Sequence, residues 1–167
     1  MKLLFEIGCE EIPARFLPAA RASLERAFPR LLQDARLESG ELAVRTMATP
    51  RRLVLQAEGI PERQDDLDEE LLGPRVDIAY DPRGNPTKAC AGFARGRGVD
   101  VADLVVIDTP KGEVVGIRRS IAGLPAIEVM PGLLERLVDG LGFPKSMRWG
   151  RGEHTFVRPV HWLVALL

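Results

Sequence analysis

The sequence predicts an α+β fold with antiparallel sheets and helices on one face, on the strength of three observations. Short apolar stretches alternate with a period of two, as in Leu3–Ile7, 42–46 and 53–57. Two longer stretches repeat with a helical period instead. Clusters of Pro, Gly, Asn and Asp separate several of these stretches by only a few residues, so successive strands fold back on one another.

Leu3, Phe5 and Ile7 alternate with Leu4 and Glu6, the pattern of a strand with at least one buried face. Phe16, Ala20, Leu24, Phe28, Leu31 and Ala35 then recur at helical spacing, opposite Arg21, Glu25, Arg26 and Arg30. Pro18 suits a first turn. Pro29 predicts a kink or a split, because proline has no N–H and crowds the carbonyl four residues back. Leu42, Val44 and Thr46 form a second strand and Leu53, Leu55 and Ala57 a third, joined by a tight turn at Thr49-Pro50. These elements compose a β-α-β-β lobe over residues 1–61. Residues 62–74 carry Asp65, Asp66, Asp68 and Glu69 and close on Gly73-Pro74, which reads as an acidic linker or an acidic surface helix.

The pattern restarts with a strand over Val76–Tyr80, a turn at 81–86 and a short helix from Thr87 to about Arg95. Two strands, 104–107 and 114–117, flank Thr109-Pro110-Lys111-Gly112 as a hairpin. Pro131 fits the first turn of a helix whose apolar face holds Leu133, Leu134, Leu137, Val138 and Leu141. A last strand covers about Phe156 to Leu166. The order β-α-β-β-α-β over 75–167 predicts a ferredoxin-like, RNA-recognition-motif-like lobe. The chain stops inside the apolar run Trp162–Leu167, which leads us to expect a truncated piece of something longer.

With 167 residues, 46% hydrophobic and 28% charged, the chain matches a globular protein able to bury a core. The two cysteines, Cys9 and Cys90, stand in no metal-like spacing and fit a reducing, cytoplasmic setting. Leu3-Leu4-Phe5 is too short for a signal peptide, and no stretch approaches a membrane span. No phosphate-cradling loop of the G-x-x-x-x-G-K type is present, and Gly92, Gly96 and Gly98 run in the wrong order for a dinucleotide fingerprint. Cys9 stands beside Glu10 and Glu11, whose charge disfavours a thiolate nucleophile. His154 and His161 lie seven apart, on opposite faces of a strand, so they do not share a metal. Glu6, Glu10 and Glu11 read as surface and helix-start charges. No catalytic and no metal-binding residues are therefore assigned.

Net charge is −1, so any anionic partner must be met by local patches. Three such patches exist. Arg51 and Arg52 bracket one turn with Arg45; Lys88, Arg95 and Arg97 follow a second with Arg83; Lys145, Arg148, Arg151 and Arg158 surround Trp149. The guanidinium fork suits phosphate, and nearby aromatics suit bases, so these nine residues are the candidate RNA contacts. The competing reading is that they pair with carboxylates of this chain or of a partner.

Four blocks of the sequence, LLFEIGCEEIPARFL (3–17), ATPRRL (48–53), GNPTKACAGFARGRGV (84–99) and FPKSMRWGRGEHTFVRPVHWLVALL (143–167), occur in the order found in one family. Together they resemble the beta subunit of the bacterial two-subunit glycyl-tRNA synthetase, along essentially the whole chain. The resemblance implies an N-terminal fragment of a ligase subunit. Its partners would be the alpha subunit, within a heterotetramer, and tRNA(Gly). ATP and magnesium would serve the complete enzyme in the alpha subunit, with no cofactor bound by this piece. Anticodon reading, which the family places near the beta C-terminus, is not expected here. Two alternatives remain: a free-standing RNA-binding or protein-interaction module of RNA-recognition-motif type, and a small phosphate-binding enzyme using the 88–98 loop.

Overall fold

The computed structural model describes residues 1–149 and 152–167. In chain order the elements are β1 (Lys2–Cys9), α1 (Leu17–Asp34), β2 (Ala43–Thr49), β3 (Arg52–Glu58), β4 (Leu67–Arg75), α2 (Val76–Ala79), α3 (Lys88–Arg97), β5 (Val105–Thr109), β6 (Gly112–Ile121), α4 (Ala126–Asp139), β7 (Met147–Arg148), β8 (Thr155–Phe156) and β9 (Val160–Leu166). The fold is α+β with antiparallel sheets. It divides into two units: Met1–Asp65 with Gly123–Leu167, and Asp66–Ala122.

In the first unit the strand order is β2-β3-β1-β9, antiparallel throughout. Leu3, Phe5 and Ile7 face the same side as Leu53, Leu55 and Ala57, and all six are buried. The period of two in the sequence thus becomes one apolar face. Ala20, Leu24, Phe28 and Leu32 of α1 and Met130, Leu133, Leu134 and Leu137 of α4 close the core over it. Phe28 is wholly buried, and its truncation to Ala would cost about 3–5 kcal/mol.

At Pro131 the structure departs from the sequence expectation, and of the two outcomes expected at Pro29 the split does not occur. α1 continues as a helix across Pro29 rather than splitting. The residue whose carbonyl loses its partner there, Glu25, lies on the exposed side, where water substitutes. α4 begins at Ala126, capped by Pro125, so Pro131 lies inside the helix and not in its first turn. Ile127, four residues back, is 66% exposed and tolerates the same loss.

The sequence grouped 75–167 as one lobe; in the structure residues 123–167 complete the first unit. β9 pairs with β1 in the register Gly8↔Trp162, Ile7↔Leu163 and Phe5↔Ala165. An apolar stripe announces that a helix or strand is half-buried but does not name the sheet that receives it. The crossing is clasped around Gln64, a buried polar residue 9% exposed. Gln64 N–H donates to Leu124 O at 2.9 Å, Leu124 N–H donates to Gln64 Oε1 at 3.0 Å, and Gln64 Nε2 donates to Ala35 O at 2.6 Å.

The second unit is a three-stranded sheet, β4-β6-β5, with α2 and α3. The hairpin β5–β6 forms where the Thr109–Gly112 turn predicts it. Two segments depart from expectation. Residues 67–74, predicted within the 62–74 linker, form β4 together with Arg75, with Glu69 and Glu70 matched by Arg119 and Arg118 directly across on β6. Those pairs stand at 2.5 and 2.7 Å. Val76–Ala79, predicted as a strand, is a single helical turn that Arg75 and Asp77 brace at 3.1 Å. Ala79, Cys90 and Val115 form the small core, with Phe93 packed against it. Gly73 lies under Phe93: a Cβ there would come within 2.8 Å of the ring.

Candidate functional site

The basic residues predicted from the sequence fall into two physical groups. At one end of the first sheet, Arg51 reaches Glu10 at 3.4 Å, and the other oxygen of Glu10 meets His161 Nε2 at 2.8 Å. One residue along, Arg52 lies 3.6 Å from Glu6, whose other oxygen accepts the indole N–H of Trp162 at 2.8 Å. The Arg52 guanidinium also sits 5.6 Å from the Trp162 ring centroid. Trp162 lies across Gly8 so closely that a Cβ on Gly8 would fall 1.9 Å from an indole carbon. Arg158 donates to the backbone carbonyls of Glu11 and Val157, at 3.0 and 2.9 Å. All three predicted arginines here are engaged within the fold.

The register explains this arrangement. Gly8 stands opposite Arg52 on one side and Trp162 on the other, so β1 brings Glu6 and Glu10 between β3 and β9. Sequence reasoning took Glu6 and Glu10 for surface charges and missed their role as shared acceptors. Only strand pairing across more than 40 positions reveals it. Between these carboxylates, burial first and then the charge of Glu10 push the Cys9 thiol up to about 11, against an opposing pull from Arg158. A thiol held neutral in this way is a packing group.

Around Trp149, β7 and β8 pair Met147↔Phe156 and Arg148↔Thr155. Trp149 donates its indole N–H to Phe156 O at 3.0 Å, and Phe156 meets Phe143 edge-on at 5.1 Å. The aromatics therefore hold this corner together. Lys145 and Arg148 are exposed, and neither has an ion-pair partner among the described residues. Arg151 lies outside the described residues. His154 bonds Asp139 at 2.7 Å, and that hydrogen bond is the main cause that raises its pKa above 6.5. A groove of about 600 Å³ runs alongside, lined by Leu134, Val138, Trp149, Leu163 and Ala165.

The second unit places Lys88, Arg95 and Arg97 on α3. Thr87 caps the helix by accepting from the Cys90 N–H at 3.5 Å, and Gly98 closes it in the left-handed region at φ 70°. Cys90 and Ala94 face the core, so Lys88, Gly92, Arg95 and Gly96 face outward. The helix contains three cations and no carboxylate. None of the three has an ion-pair partner among the described residues.

A family model for the glycyl-tRNA synthetase beta subunit matches residues 3–167. The chain belongs to that family. It is 50% identical over 165 residues to the glycine–tRNA ligase beta subunit of Geobacter sulfurreducens, covering 99% of this chain and 24% of the relative. It is 48% identical over 164 residues to that of Citrifermentans bemidjiense, covering 98% and 24%. The corresponding protein of Anaeromyxobacter sp. strain K is 52% identical over 165 residues, covering 99% and 23%. The chain thus spans about a quarter of the length of these curated relatives.

Among the described residues no cluster of three or more His, Cys, Asp or Glu is placed to hold a metal ion. No helix among them is long and apolar enough to cross a membrane. Lys88, Arg95 and Arg97 of the second unit and Lys145 and Arg148 of the first are exposed and have no carboxylate partner among the described residues.

Proposed function

We propose that this chain acts as the N-terminal region of a glycyl-tRNA synthetase beta subunit. It contributes to subunit assembly and tRNA binding for the ATP-dependent attachment of glycine to tRNA(Gly) in the cytoplasm. The covalent chemistry, with its ATP and magnesium, belongs to a separate alpha subunit, in an assembly of two alpha and two beta chains. The observation that carries the tRNA part is that five of the nine predicted cations, Lys88, Arg95, Arg97, Lys145 and Arg148, are exposed and have no carboxylate partner among the described residues. A cation already paired inside the fold contributes little net field to a phosphate, whereas an unpaired one is available for counterion release. Two measurements test the reading. Glycine-dependent ATP–pyrophosphate exchange is expected only when the alpha subunit is present; exchange by this chain alone would defeat the division of labour. tRNA(Gly) affinity of the assembled enzyme should fall with salt, less steeply when Lys145 and Arg148 are replaced by Ala.

The free-standing module of RNA-recognition-motif type has one observation in its favour. Trp162 stands on the sheet face opposite α1 and α4, in the row Arg52-Gly8-Trp162. Such modules stack two or three bases on aromatic side chains of their sheet. Here the rows beside Trp162 hold Met47-Val54-Glu6-Val164 and Arg45-Gln56-Leu4-Leu166, without a second aromatic ring. The subunit reading therefore stands ahead of it.

A further inference from the structure

We infer that the outward face of α3, from Lys88 to Arg95, is a seat for an RNA sugar–phosphate backbone that approaches the helix main chain closely. The inference deepens the tRNA-binding reading above and rests on it.

The first argument is charge. Elsewhere in the second unit three exposed arginines are matched, Arg118 to Glu70 at 2.7 Å, Arg119 to Glu69 at 2.5 Å and Arg75 to Asp77 at 3.1 Å, while Arg83 and Lys111 have no ion-pair partner among the described residues. Asp81, just before the helix, spends its carboxylate on the Arg83 and Asn85 amides at 2.9 and 2.8 Å. Lys88 and Arg95 have no such partner among the described residues. Seven residues apart, they stand about two turns and roughly 10 Å from each other along nearly one line of the helix. Arg97 points to the other side and supports the negative end of the helix dipole.

The second argument is shape. Gly92 and Gly96 lie within about a quarter turn of the Lys88–Arg95 line. A Cβ at either would meet nothing within 4 Å. Neither has the positive φ that would favour glycine. Glycine inside a helix lowers its stability relative to alanine. Within the fold, Gly8 and Gly73 have a reason to lack a side chain, the rings of Trp162 and Phe93. Gly92 and Gly96 have none. Their effect is external: Gly92 leaves bare main chain between the two cations and Gly96 extends it one residue past Arg95, so a continuous polyanion can settle there. A protein partner offering isolated carboxylates would satisfy the cations without needing that bare strip.

The test uses the assembled alpha–beta enzyme carrying this region, with tRNA(Gly) as the probe. Gly92→Ala with Gly96→Ala keeps every charge; it should raise the melting temperature and weaken tRNA binding several-fold at unchanged salt slope. Lys88→Ala with Arg95→Ala should weaken binding and flatten the salt slope by about 0.7–0.9 per lost contact. Parental binding by the glycine pair would overturn the close approach. Loss of alpha–beta association with unchanged tRNA binding in the cation pair would assign α3 to a protein interface and overturn the seat. If α3 changes nothing while Lys145→Ala with Arg148→Ala flattens the slope, the seat fails and tRNA binding stands. If neither cation pair moves the slope, the tRNA reading itself fails, and the seat with it.

Discussion

Arg51 and Arg52 are adjacent in the sequence, and Arg95 and Arg97 stand two positions apart; in sequence the two patches look alike. In the fold they differ. Arg51 and Arg52 each face a carboxylate on β1, at 3.4 and 3.6 Å, and share those carboxylates with His161 and Trp162. The cations of α3 face none among the described residues. Clustering along a chain measures how many charges are near one another, whereas binding depends on how many are still unsatisfied after folding. The acceptors that decide this, Glu6 and Glu10, lie more than 40 positions before the arginines they engage.

The comparison is broken most directly by removing unpaired and paired cations separately. Replacing Lys88, Arg95, Lys145 and Arg148 together by Ala should flatten the salt dependence of tRNA binding by about 3 in slope, from four contacts of roughly 0.7–0.9 each. Replacing Arg51 and Arg52 should leave the slope nearly intact and lower the melting temperature instead. An equal loss of slope from both sets would erase the distinction.

A second perturbation acts on the paired group through its packing. Gly8→Ala puts a methyl group inside the Trp162 ring position and should destabilise the first unit by about 1–3 kcal/mol, read from urea unfolding. Unchanged stability would mean that Trp162 does not rest on β1. A smaller effect should follow Glu10→Gln, which releases Arg51 and His161 at a cost of about 0.2–1 kcal/mol, as expected for an exposed pair. The freed Arg51 should then steepen the salt dependence of tRNA binding slightly; a flatter one would show that Glu10 shapes an RNA contact rather than blocking it.

The smallest expected signal is a titration. The hydrogen bond from Asp139 raises the His154 pKa above 6.5, with added help from the charges of Asp139, Glu135 and Glu153. A raised pKa means the protonated form is favoured in the folded state. Its stabilisation is complete below about 6.5 and fades as pH climbs through the folded-state value. Proton NMR of the His154 ring should show the elevated midpoint, and Asp139→Asn should return it toward 6.5. An unaltered midpoint in that variant would remove Asp139 as the cause.

Much of the local structure is legible because one residue's period records one buried face: Leu3, Phe5 and Ile7 for β1, Ala20, Leu24 and Phe28 for α1, and the β5–β6 hairpin around its turn. β4 is hidden because Glu69 and Glu70, adjacent and on opposite faces, leave no apolar alternation to see; their partners are Arg119 and Arg118, about 50 residues later. The same distance hides the destination of α4 and β9. For the site, residue type was readable and pairing was not. The cations could be named from the sequence, but which of them remain unsatisfied follows only from strand register.

The Gln64–Leu124 clasp has a topological consequence. The chain leaves and rejoins the first unit at hydrogen-bonded neighbours, with Arg63 bridged to Pro125 and the Ala126 amide bonded to Glu62 O at 2.8 Å. Everything from 66 to 122 is therefore an insertion whose two ends are already held together. Closing that gap with a short loop demands little loop entropy. The second unit is in that sense an exchangeable cassette. It could lengthen, shrink or be swapped over evolutionary time while the strand order β2-β3-β1-β9 of the first unit stayed the same.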